Sequence, residues 1–201
     1  MKTKDKILDV AEVMFSEHGI TETSLRAITQ KAGVNIAAVN YHFGSKKNLI
    51  QAVFHRLLAR FFDAYFEALS GATSVSREQA LHAAARAIIN QPDGLDYGRR
   101  FMKFLQAAYA QQQAHLRRYL QTEFHDEYVL FLGHLAGHGL SKSQQFEFFW
   151  RLQFLLGAVM FSISEYRTLD AITDSEYGLR LAQDSLESLF VPTALAILES
   201  K

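Results

Sequence analysis

Apolar residues recur along most of this chain at intervals of three and four, the period of a helix buried on one face, and no segment alternates as a half-buried strand would. From about Asp5 to His18 the positions Ile7, Leu8, Ala11, Met14 and Phe15 share one face, and Gly19 supplies a left-handed stop. Thr23 or Ser24 offers an N-cap hydroxyl to a short second helix carrying Leu25, Ile28 and Ala32, which Gly33 closes. Asn35 can cap a third segment, Ile36 to Phe43, before Gly44 breaks it and Ser45 caps a fourth from Lys46. There Leu49, Ile50, Val53, Leu57, Phe61 and Tyr65 continue without a breaker to Leu69, a helix of about 36 Å at 1.5 Å per residue.

The remainder is punctuated in the same way. Ser76 to Gln79 spells a capping box for a helix to about Asn90, which Pro92 to Gly94 ends, and another helix starts near Asp96. A break at Gln111 to Gln113 precedes one stretch to Ala136, stopped by Gly137 and Gly139. Ser141 to Gln144 spells a second capping box, opening an apolar helix to about Thr168. Asp174 caps a last segment that Pro192 divides or kinks. The expected fold is all-α, with a three-helix unit over 1–45 and a larger helical domain over 46–201, the helix over about 46–69 connecting them.

Composition narrows this picture. Two prolines and 11 glycines in 201 residues are too few for the turns of a sandwich or barrel. Cysteine is absent, which removes disulfides, thiolate metal sites and cysteine nucleophiles. The charged start, Met1 to Lys6, leads into an amphipathic segment, and the longest apolar run, Leu152 to Ile163, is short of the roughly 20 residues of a membrane span. A cytoplasmic protein without a membrane partner is expected. Net charge is zero, yet residues 21–60 carry six bases against Glu22 alone, an asymmetry suited to a phosphate-facing surface.

That surface coincides with Thr23 to Ile50, where a helix, a glycine turn and a second short helix can place the second helix in a major groove about 12 Å wide. With Ile28, Ala32, Val34 and Val39 turned inward, Asn35, Ala37, Ala38, Asn40, Tyr41 and His42 are left outside. The strings TSLRAIT, KAGV and above all VNYHFGSKKNLI resemble the TetR family of bacterial regulators, over roughly residues 7–55. The resemblance implies a dimer on near-palindromic double-stranded operator DNA, with Tyr41 and His42 on phosphates. Asn40 stands where many members carry tyrosine. From chemistry, Lys46 at a helix N-terminus, Thr23, Ser24, Arg26 and Lys47 are further backbone contacts. Asn35 and Asn40 could read adenine, and Ala37 and Ala38 could meet thymine methyls, although capping alone explains an Asn at 35.

In TetR-like proteins the larger domain binds an effector and pairs with a second copy. Phe149, Leu156 and Met160, in a helix apolar on most sides, with Leu186 and Leu189, are the candidate homodimer surface, unless that helix is simply buried within the chain. Phe101, Phe104, Phe124 and Tyr128 could line a pocket or fill a solid core. The order of segments resembles the branch that senses long-chain fatty acids or acyl-CoA esters. That resemblance nominates Arg99, Arg100, Arg117, Arg118 or Arg151 for an acidic head group. The expected function is a repressor released from its operator by a small hydrophobic effector; the competing one is a helical ligand carrier or scaffold that binds no operator. No catalytic constellation, phosphate loop or cofactor motif occurs, and His134 and His138, spaced as a helical metal pair, lack a third ligand fixed by spacing.

Overall fold

The caps legible in the sequence close on their helices. In the computed structural model, which describes residues 2–109, 113–137 and 139–199, Ser24 accepts from Ala27 N, Asn35 from Ala37 N and Ser45 from Asn48 N. These caps open α2 (Leu25–Ala32), α3 (Ile36–Phe43) and α4 (Lys46–Ala68), while α1 (Thr3–His18) precedes them. Gly33 ends α2 in the left-handed region at φ 65°, where a side chain would be strained. Both capping boxes are complete, at the starts of α5 (Arg77–Ile89) and α9 (Lys142–Ser164). Between them lie α6 (Leu95–Tyr109), α7 (Ala114–Glu123) and α8 (His125–Ala136); α10 (Tyr166–Tyr177) and α11 (Gln183–Glu199) follow.

α1 lies against α2, α3, α4 and α6, so the small N-terminal unit is bolted to the body through both its connector and α6. The body is arranged around α5, which touches α4, α6, α8 and α11. α5 can be surrounded because its buried positions are mostly alanines, Ala80, Ala83, Ala84, Ala85 and Ala87 among them, which let neighbours approach closely. α6 meets it at Gly98, where an added methyl would sit 2.6 Å from Ile88 and 3.1 Å from Ile163. One continuous hydrophobic core runs from Ile7 to Leu198, with Leu49, Val53, Phe54 and Leu57 of α4 at its centre.

Three expectations are corrected. The single stretch to Ala136 is broken at Phe124, which carries no glycine or proline; its ring is buried and stacks on Phe62 at 5.6 Å, so tertiary packing makes the break. The apolar helix stops at Ser164, whose hydroxyl turns back to the Met160 carbonyl. Asp174 lies inside α10 rather than capping a last helix, and accepts from Arg180 at 2.7 Å, while Gly178 in the left-handed region ends α10. Pro192 sits within α11, which continues past it. The expected break at Gln111 and Gln112 lies outside the described residues, as does His138.

A reading helix, an ion network and an apolar cavity

α3 is held by two side chains and displays the rest. Val39 is fully buried and Phe43 nearly so, while Asn40, His42 and Ala37 are exposed and Tyr41 is 85% exposed. A tyrosine so open on a helix anchored this firmly is not a core residue. The Asn40 carbonyl accepts from Gly44 N, but its side chain makes no described hydrogen bond within the chain, leaving both ends of the amide available for the paired bonding that reads adenine. Asn35 is different: its Oδ1 is held by Ala37 N at 2.9 Å, so capping explains it and a bidentate reading would give up the cap. Ala38 is half-buried at the margin of the helix. Ile36, not expected at the surface, is 43% exposed on the first turn. Its spacing from Val39 and Phe43 reads as one buried stripe, but the first turn of α3 runs clear of the core.

The flanking contacts sort by exposure. Ser24, Arg26 and Lys47 are exposed, and Ser24 and Ser45 cap helices whose free N–H groups favour anions. Thr23 is corrected: it is buried, and its hydroxyl donates to the carbonyls of Gly19 at 2.7 Å and Met14 at 3.1 Å, fixing the α1–α2 turn. Lys46 Nζ donates to Thr21 O at 3.1 Å, tying α4 to that turn; burial lowers its pKa and Glu22 partly opposes the shift. Of the six bases in residues 21–60, Arg56 and Arg60 turn away from the reading face. The basic surface is thus Arg26, Lys31, Lys46 and Lys47.

Arg56 and Arg60 belong to a network that spacing along the chain gave no hint of. Glu12 of α1 is 4% exposed, and each of its oxygens faces a guanidinium: Arg56 of α4 at 2.6 Å and Arg100 of α6 at 2.6 Å. Arg56 also reaches Asp9 at 2.6 Å. Arg100 pairs with Asp93, which holds Arg60 at 2.8 Å, and Arg60 lies over the Tyr97 ring at 4.3 Å. Tyr97 donates to Leu57 O at 2.8 Å, and burial drives its hydroxyl pKa upward. Arg100 is therefore a strut between the N-terminal unit and the body, not a free ligand for an acid.

On the next positions of α6, Phe101, Met102 and Leu105 line a cavity of about 140 Å³ between α4, α5, α6, α8 and α9, closed on one side by Phe190 of α11. Of its 21 lining residues none is charged, and only Tyr109, Tyr128 and Gln153 bring side-chain polar atoms. Of the two alternatives open for them, Phe104 and Phe124 take the core rather than the lining, Phe104 stacked on Phe54 and Phe124 on Phe62. None of Arg99, Arg117, Arg118 and Arg151 lines it; Arg117 and Arg118 are exposed on α7, and Arg151 faces a different depression beside Glu147. A second cavity of about 300 Å³, between α5, α9 and α11, shares Ile88, Leu155, Val159 and Phe190 with the first.

The outer side of α9 carries Phe146, Phe149, Trp150, Phe154 and Phe161, all between 47% and 66% exposed, and Leu189 of α11 is 63% exposed. Leu156 and Leu186 instead line the cavities and Met160 is buried, so these three are corrected from the pairing surface to the interior. Averaged over its length, α9 is long and apolar enough to cross a membrane, which the interrupted run in the sequence concealed. Its inner side nonetheless packs on α6 and α11. Among the described residues no cluster of His, Asp and Glu could hold a metal; His134 Nδ1 instead bonds the Tyr65 hydroxyl at 2.9 Å.

Known proteins share this arrangement. Residues 7–53 match the family of bacterial regulatory proteins named for tetR, and residues 82–190 match the tetracyclin repressor-like C-terminal domain. A TetR-like transcriptional regulator from Rhodococcus sp. RHA1 superposes with a TM-score of 0.65 at 25% identity, over 99% of this chain and 97% of that one. The fatty acid degradation regulator FadR from Bacillus halodurans shares the fold at a TM-score of 0.63 and 19% identity, over 100% and 96%. In sequence, the transcriptional repressor KstR2 of Mycolicibacterium smegmatis is 29% identical over 100 residues, 45% of this chain and 49% of that protein. The transcriptional regulator AcrR of Shigella flexneri is 40% identical over 52 residues, 26% and 24%. These sequence matches thus span half or less of the relatives' length, and the proteins named are regulators rather than enzymes. With both of its regions matched, the chain belongs to the TetR family of bacterial regulatory proteins.

Proposed function

We propose that the protein is a cytoplasmic, sequence-specific repressor that binds a near-palindromic operator as a homodimer and lets go when a small hydrophobic effector enters the body. The observation that carries this reading is α3: a short helix anchored by Val39 and Phe43 that holds Ile36, Ala37, Asn40 and Tyr41 outward beside two capped helix N-termini. Such a helix fits the major groove, and a twofold pair of them about 34 Å apart reads two half-sites. Residues 1–45 form the reader and 46–201 the sensor. Names given to two relatives, a fatty acid degradation regulator and a repressor, support this direction.

Coupling runs through Glu12. The cavity wall on α6 begins at Phe101, immediately after Arg100, whose guanidinium holds the α1 carboxylate that Arg56 of α4 also holds. A ligand that displaces Phe101 and Met102 moves Arg100 and, with it, the reader. Allosteric coupling of this kind is typically about 1–3 kcal/mol.

Selection of bound sequences from a random DNA pool tests the reading. A palindrome is expected, with Asn40→Ala relaxing one position in each half-site by about 1–3 kcal/mol of discrimination. Lys47→Ala should weaken all sequences alike and reduce the salt dependence. Absence of enrichment at low salt would leave a helical ligand carrier.

A further inference from the structure

We infer that the effector is a neutral molecule, an apolar body with one hydroxyl or carbonyl group, and that a carboxylate or phosphate anion is excluded from the cavity. The inference rests on the cavity being the effector site. Its basis is the wall: 21 lining residues without a charge, and three polar groups, Tyr109, Tyr128 and Gln153. An ion moved into such surroundings without a partner loses hydration worth several kcal/mol or more.

The cations that could have supplied a partner are placed elsewhere. Arg100 is held by Glu12 and Asp93, and Arg151 lies beside Glu147 in a separate depression. Arg117 is close enough to Tyr109 to oppose the upward push that burial gives its hydroxyl, yet it stands exposed on α7 and does not line the cavity. Among the described residues, the polar groups that do line it have no partner. Neither the Tyr109 and Tyr128 hydroxyls nor the Gln153 amide makes a described hydrogen bond within the chain, and none is sealed from small molecules as the Arg99 Nε and His115 Nε2 atoms are. Two hydroxyls and an amide can donate to a carbonyl or accept from an alcohol while their own protons stay in place. Burial raises the Tyr128 hydroxyl pKa, with Tyr109 adding to the shift, so both remain protonated donors.

Size gives a second constraint. About 140 Å³ is close to a cavity that holds one benzene ring, so a compact ligand fills it alone. A longer chain, or a guest of two or more rings, must push past Phe190 into the second cavity of about 300 Å³, whose lining is likewise without a charge.

The test is displacement of N-phenyl-1-naphthylamine, a neutral fluorescent probe, from the full-length protein by octanol, methyl octanoate and octanoate at about pH 8, where the free acid is ionised. Octanol and the methyl ester are expected to compete at roughly 100-fold lower concentration than octanoate, which is about 2.7 kcal/mol. Tyr128→Phe and Gln153→Leu should each weaken octanol about tenfold relative to the probe, whose own affinity is measured in each variant so that the competition is referred to it. Octanoate competing within a few-fold of octanol, particularly if Arg117→Gln abolishes it, overturns the inference. So does octanol binding that neither variant alters. If no compound displaces the probe while the selected palindrome is still bound, the effector assignment fails and the operator reading stands; loss of the palindrome with intact octanol binding removes the operator reading and leaves the effector assignment standing.

Discussion

At the scale of single residues, Glu12 is where burial and charge conflict most. Its carboxylate sits beneath α1 with a guanidinium on each oxygen, so Glu12→Ala removes the buried partner of two cations and leaves Arg56 to the half-exposed Asp9 and Arg100 to Asp93. The substitution should cost about 3 kcal/mol, whereas Asp9→Ala, at a half-exposed partner of Arg56, should cost under about 1 kcal/mol. Urea unfolding of the two variants checks the contrast. His115 gives a pH signature. Burial lowers its imidazole pKa, Lys47 adds to this, and Nε2 is buried without a partner. The folded value lies below the unfolded one, so the unfolded chain takes up the proton first. Stability present above about pH 6.5 should therefore drain as the pH falls toward the folded value, and His115→Leu should remove that part of the slope in a Tm-against-pH series. Neither residue announced itself in the sequence. Glu12 reads there as one more polar position of an amphipathic helix, because its partners lie 44 and 88 residues away.

At the scale of elements, local chemistry was legible and tertiary decisions were not. The caps at Ser24, Asn35, Ser45, Ser76 and Ser141 could be read because a hydroxyl or amide two or three residues before a free N–H is a purely local relation. Ser24→Ala should accordingly cost about 1 kcal/mol and loosen α2 in hydrogen exchange. The break at Phe124 could not be read, since its cause is a ring stacked on another helix. Nor could spacing separate Ile36, exposed, from Val39, buried, although they share a stripe. The reading face itself was largely visible: Asn40, Tyr41 and His42 are outside as their polarity suggests, and Thr23 misled because a hydroxyl serves equally well to cap a helix or to lock a turn. At the crossing of α5, α6 and α9, Gly98→Ala should cost about 1–3 kcal/mol, because the added methyl meets Ile88 Cγ2 at 2.6 Å, Ile163 Cγ2 at 3.1 Å and the Ile88 carbonyl at 3.3 Å, and while the Ile88 side chain can lean toward the cavities it lines, the backbone carbonyl cannot. Thermal unfolding reads this directly.

At the scale of the whole molecule, the outer side of α9 leaves five aromatic side chains uncovered, in keeping with the proposed homodimer. Phe154→Lys, 66% exposed and therefore of little consequence for the fold, should shift the protein from dimer to monomer in sedimentation and weaken operator binding at least tenfold by halving the number of readers. Under the proposed function α9 has two jobs, because its inner side, through Leu152, Leu155 and Leu156, is a wall of the cavity proposed for the effector. One rigid rod thus separates the guest from the neighbouring subunit. A guest that shifts the inner wall shifts the outer one with it, and subunit association and guest occupancy then change each other's affinity by the same factor. Apparent affinity for the guest should then depend on how dilute the protein is, differing between nanomolar and micromolar chain, and in Phe154→Lys that dependence should vanish.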